Sequence, residues 1–139
     1  MNAVADSARG RSPESEKITI NLGFVDLGQV DLLVQDGFYS NRSDFIRTAI
    51  RNQLSVHADE TRKAIVRQTL DLGIRHYSRA SLEQVKAAGE RLRIKVLGLA
   101  SIAADVPPAL ALATIESIDV LGAFHASDAV KKALAGRIR

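Results

Sequence analysis

The sequence predicts an α+β protein in two parts: a strand followed by two helices near the N-terminus, then about three strand–helix units. Three observations lead there. Lys17-Ile18-Thr19-Ile20-Asn21-Leu22 alternates strictly, with Ile18, Ile20 and Leu22 on one face and Lys17, Thr19 and Asn21 on the other, the period-two pattern of a half-buried strand. Two helical patterns follow at once. Further on, a Leu-Gly step recurs at Leu72-Gly73, Leu97-Gly98 and Leu121-Gly122, 25 and then 24 residues apart, and a fixed period of this size marks stacked repeats.

Composition bounds the rest. The chain has 139 residues, 46% hydrophobic and only 4% aromatic, so its core must rest on Leu, Ile, Val and Ala. With no cysteine, disulfides and thiolate metal sites are excluded. No apolar run approaches the ~20 residues that span a bilayer, and the first ten residues lack the apolar centre of a signal peptide. A cytoplasmic, nucleoid-associated protein with no membrane partner is expected. The net charge is +3 and unevenly spread: residues 1–55 hold six Lys/Arg against seven Asp/Glu, while residues 62–95 hold nine against three. The basic run is either a solvated face or a contact with nucleic acid or an acidic partner.

Residues 1–15 are small, polar and aperiodic, and read as a flexible arm in which Arg9 and Arg11 are the charges able to touch phosphate. After the strand, Gly23 breaks the alternation. A helix is expected from about Val25 to Asp36, with Leu27, Val30, Leu33 and Val34 on one side. Gly28 weakens it by up to ~1 kcal/mol, and Gly37 suits its C-terminal cap. Phe38-Tyr39-Ser40 is a turn, and Ser40 fits the N-cap of a second helix from about Asn41 to Leu54, whose stripe is Phe45, Ile46, Ala49, Ile50 and Leu54. One strand and two helices make a marginal core with two open strand edges. The simplest remedy is a dimer in which two copies of the strand pair antiparallel, four helices cover the apolar face, and two sets of Lys17, Thr19 and Asn21 share one ribbon.

The segment EKITINLGFVDLGQVDLLVQDGFYSNRSDFIRTAIRNQL, residues 16–54, closely resembles the ribbon-helix-helix family of bacterial DNA-binding proteins, the CopG, Arc and MetJ type. Its most specific parts are the alternating strand, the glycine before the turn, and the Ser-Asn-Arg-Ser-Asp-Phe-Ile-Arg run. The resemblance implies an obligate homodimer, over a DNA-binding and dimerisation domain at 16–55, whose paired strands enter the major groove of double-stranded DNA. Lys17, Thr19 and Asn21 then become the base-reading set: lysine donates to guanine, asparagine bonds adenine bidentately, and threonine serves either base or a thymine methyl. Ser40, Asn41, Arg42 and Ser43 become the phosphate clamp, where free amides and the positive end of the helix dipole favour an anion. This chain departs from the family pattern in two respects. Its DNA-binding portion carries no net positive charge, and the turn Gly37–Ser40 is one residue longer than the common form.

The remainder, 60–139, reads as a repeat-like domain for oligomerisation or partner binding. Its helices are expected to begin near Ser81-Leu82, near Asp105-Val106-Pro107-Pro108 and near Ser127-Asp128, residues suited to caps and first turns. Ile94-Lys95-Val96-Leu97-Gly98 aligns with Ile118-Asp119-Val120-Leu121-Gly122. Such units bury their apolar faces only by stacking; the rival is a compact α/β sandwich.

No catalytic, cofactor or metal signature emerges. His57, His76 and His125 lack ligand spacing, and there is no nucleophile elbow or P-loop. The expectation is therefore a non-enzymatic, sequence-specific transcriptional regulator, a repressor, working as a homodimer that forms higher oligomers on DNA or through its C-terminal domain. The alternatives are an antitoxin that represses its own operon, and an architectural or partition protein that coats DNA through residues 62–95.

Overall fold

The computed structural model describes residues 15–139, and the arm with Arg9 and Arg11 lies outside the described residues. The architecture is mixed α+β, and the chain divides into two compact units, with the division falling between Ala64 and Ile65. They are described separately.

In the first unit, residues 15–23 form no regular element within the single chain. The expected strand at Lys17–Leu22 therefore has no ladder here, for the reason its pattern implies: a strand is defined by hydrogen bonds to a neighbour, and this unit holds no other strand. Helix α1 spans Phe24–Gln35. It ends in a Schellman closure, with the Gly37 N–H donating to Val34 O at 3.1 Å and the Phe38 N–H to Leu33 O at 3.0 Å. Gly37 takes φ +86°, a conformation that costs a side-chain-bearing residue about 1 kcal/mol or more. Helix α2 spans Arg42–Val56. Its N-cap is Asn41 and not Ser40: the Asn41 Oδ1 accepts the Asp44 N–H at 2.8 Å, while the Asp44 carboxylate accepts the Ser40 N–H at 2.9 Å. The longer turn moves the capping pair one residue along. Tyr39 packs edge-on to Phe45, ring centroids 5.0 Å apart, and pins the turn to the helix.

Helix α3, Ala58–Gln68, was not expected. Its few apolar residues gather toward its end, at Ala64, Ile65 and Val66, and its first turns carry ion pairs at one-turn spacing, Asp59 with Arg62 and Glu60 with Lys63.

In the second unit, strands β1 (Asp71–Tyr77), β2 (Leu92–Ile102) and β3 (Ile115–His125) form one parallel sheet in sequential order. Each is followed by a helix: α4 (Arg79–Ala87), α5 (Pro108–Thr114) and α6 (Asp128–Ala133). Ser78 caps α4 and Ser127 caps α6, each hydroxyl accepting the amide three residues on. Pro107 and Pro108 open α5, where a missing amide costs nothing. The helices cover one sheet face, burying Leu82, Ile94, Val96, Ala100, Ile102, Leu110, Ala111, Ile115, Ile118, Val130 and Leu134 in one cluster. Both strand pairings in this sheet are parallel.

The three Leu-Gly steps lie in register: Gly73 pairs with Gly98 and Gly98 with Gly122. All three glycines have positive φ, +121°, +137° and +120°. A Cβ on Gly98 would drive into the carbonyl of Gly73, and one on Gly122 into that of Gly98, so the recurrence in the sequence is a steric ladder in the sheet. Gly98→Ala is therefore expected to lower stability by at least about 2–3 kcal/mol, combining backbone strain with overpacking. At Gly73 the nearest atom is the Arg75 guanidinium at 3.9 Å, so Gly73→Ala should lose about 1 kcal/mol or more less than Gly98→Ala. Urea unfolding of the two variants checks the order; equal losses contradict the ladder.

Candidate DNA interface

Every residue from Ser15 to Asp26 is exposed. Lys17, Thr19 and Asn21 therefore face solvent, as a base-reading set must, but so do the residues between them. Ile18 is 74% exposed, Ile20 54% and Leu22 40%, and Phe24 next to them is 94% exposed. The helices repeat the pattern, with Leu32, Ile50, Leu54 and Val56 all exposed, and only Val30 is buried in the whole unit. Large apolar side chains exposed in this number point to an interaction face.

The second predicted group, Ser40 to Ser43, is gathered by the start of α2. The amides of Arg42 and Ser43 begin the helix and have no acceptor among the described residues; with the dipole of α2 they present a positive end. The Arg42 side chain is not free. It clamps Asp31 of α1 bidentately, Nε to Oδ1 at 2.7 Å and Nη2 to Oδ2 at 2.8 Å, which ties the two helices together. This partner was invisible in the sequence, because Asp31 lies eleven residues upstream and meets Arg42 only once the turn has folded back. The hydrogen bond from Arg42, and then its charge, hold the Asp31 carboxyl below its ordinary range.

A family model, the Ribbon-Helix-Helix transcriptional regulator family, matches residues 13–131. The chain belongs to this family. Membership makes this ribbon-helix-helix protein a DNA-binding regulator of transcription, in a family whose members typically dimerise and are typically not enzymes. The match takes in the strand-forming segment, both helices of the first unit and the sheet of the second. No curated protein and no solved structure matches the chain. Among the described residues, no helix is long and apolar enough to cross a membrane, and no group of three or more His, Asp or Glu gathers as a metal site.

The basic run at 62–95 is spread over several elements. Arg62, Lys63, Arg75, Arg79 and Arg93 each have an acidic neighbour, in Asp59, Glu60, Asp71, Glu83 and Glu116 respectively. Five of its nine cations are thus partly neutralised where they stand.

The Arg42–Asp31 clamp makes a prediction. In a pH titration followed by NMR, the Asp31 carboxyl should titrate below the ordinary aspartate value of about 3.9, and Arg42→Ala should return it there. Because the folded value is the lower one, the clamp's contribution to stability is present above the unfolded value and fades as pH falls through the folded one. Ordinary titration of Asp31 in the parent protein would show that the clamp does not persist in solution.

Proposed function

We propose that this protein is a sequence-specific repressor whose homodimer reads DNA with a two-stranded antiparallel ribbon built from two copies of Lys17–Leu22. The observation that carries this reading is the state of that segment in the single chain. It has the alternation of a strand, no ladder, and an apolar side that is exposed throughout. Pairing with a second copy answers both deficits. The ladder joins the backbones, and Ile18, Ile20 and Leu22 turn onto the helices of both chains, each worth roughly 1.5–3 kcal/mol when buried.

That arrangement leaves Lys17, Thr19 and Asn21 pointing outward, twice over, into a major groove that admits a two-stranded ribbon. The groups have distinct donor and acceptor inventories, so the ribbon can prefer one sequence. At each side, the free amides of Arg42 and Ser43 would take a phosphate oxygen, with Ser40 and Asn41 shaping the turn that presents them. The Asp31 clamp holds the Arg42 guanidinium beside that site. Occupying a promoter site in this way would block transcription.

The cations at 62–95, scattered over several elements and five of the nine beside an acidic group, favour this reading over one in which the chain coats DNA without sequence preference, since such coating needs a continuous basic surface.

Quantitative binding with a panel of single-base operator variants tests the proposal. Asn21→Ala should relax preference at one base position per half-site by about 1–3 kcal/mol. Arg42→Ala, which leaves the Asp31 charge unpaired, should weaken operator and random DNA alike with less change in preference. Parent-like binding by both variants would mean that the ribbon is not the reader.

A further inference from the structure

The second unit carries a surface that DNA reading leaves unused. Its helices cover one face of the sheet. On the other face two rows run across the strands in register, Leu72, Leu97 and Leu121, then Ile74, Leu99 and Ala123. The central Leu99 is buried among its neighbours, Leu97 and Ala123 are half-buried, and the outer Leu72, Ile74 and Leu121 are open. Leu72 is 63% exposed, Leu121 51% and Ile74 49%. Parallel sheets are normally covered on both faces.

We propose that this face packs against the same face of a second copy of the chain, the copy already joined to it through the ribbon. The inference rests on the dimer proposed above. From strand and residue spacings the apolar block measures roughly 200–300 Å² per copy, about 400–600 Å² for a pair. Freely diffusing partners that form stable complexes bury about 1,200–2,000 Å², so this block is too small to recruit an independent protein. It is large enough for a partner held by the ribbon, whose effective concentration is on the order of millimolar.

The charges bordering the block fit a self-pairing. On the same face, the row before it holds Lys95 and Asp119, and the row after it holds His76, Ser101 and His125. A two-fold axis across the strands, between the two apolar rows, sets Leu97 over the partner's Leu99. It sets Asp119 over the partner's His125, and Lys95 over the partner's Ser101. No like charges then meet, and both ends of the interface carry polar pairs around an apolar centre, as isologous contacts require.

Because the chain has no cysteine, one engineered thiol reports on the contact. With sheets stacked about 10 Å apart, Leu97→Cys should be joined efficiently to its counterpart by a short bismaleimide, giving a covalent dimer of the full-length protein. Ala109→Cys, exposed on α5, should not be joined. Adding Leu72→Ser and Leu121→Ser, at positions already exposed, should cut the Leu97→Cys yield at least tenfold with the circular dichroism unchanged. Sedimentation of the same samples separates the two proposals. A dimer that fails to cross-link overturns this face while leaving the ribbon standing. A monomer overturns both. Cross-linking only into tetramers overturns pairing within one dimer.

Discussion

The structure turns on one constraint: a single copy of the N-terminal unit cannot satisfy itself. Its Lys17–Leu22 segment has no strand to pair with, Ile18, Ile20 and Leu22 are exposed, and Val30 is the one buried residue among the described residues of this unit. Hydrogen bonding cannot close within the unit, because it contains no second strand. Helix packing cannot either, because two helices of twelve and fifteen residues bury little more than their own seam. The same deficit explains how stability and recognition are linked in the proposed dimer. In that proposal, pairing would bury Ile18, Ile20 and Leu22 and in the same act align Lys17, Thr19 and Asn21 on one ribbon, so an unpaired chain would have no reading surface.

The second unit solves the burial problem differently. It repeats one strand–helix step three times, and each step buries its apolar face against the next. The glycines at 73, 98 and 122 lie in register with positive φ, and those at 98 and 122 leave room for the carbonyl of the strand before. Self-sufficiency on the helix-covered side leaves Leu72, Ile74 and Leu121 exposed on the opposite side. The first unit is incomplete because it lacks a strand, whereas the second is complete as a core and unfinished only as a surface.

Much of this was legible in the residues, and the limits were physical. Side-chain alternation at 17–22 and the Leu-Gly recurrence depend on local period, so they could be read directly. Caps at Gly37 and Ser127 are equally local, whereas α4, expected to begin near Ser81, is capped earlier, at Ser78. The N-cap of α2 was misplaced by one residue because Ser40 and Asn41 are both good caps, and the choice depends on where Asp44 folds back. Helix α3 is hard to read from the residues because its apolar side chains are few and gathered toward one end, at Ala64, Ile65 and Val66. The Arg42–Asp31 clamp was beyond reach, since it joins two helices across a turn. In the candidate interface, residue types pointed to chemistry; only the fold showed that Arg42 already has a carboxylate partner.

Amide hydrogen exchange across Lys17–Leu22, measured on the full-length protein over a range of concentrations without DNA, tests the central claim most directly. In an antiparallel two-stranded ribbon only alternate amides are hydrogen-bonded across the pair. The account predicts protection on every second residue of the segment, rising with protein concentration as copies pair. Uniformly fast exchange at every concentration would contradict it.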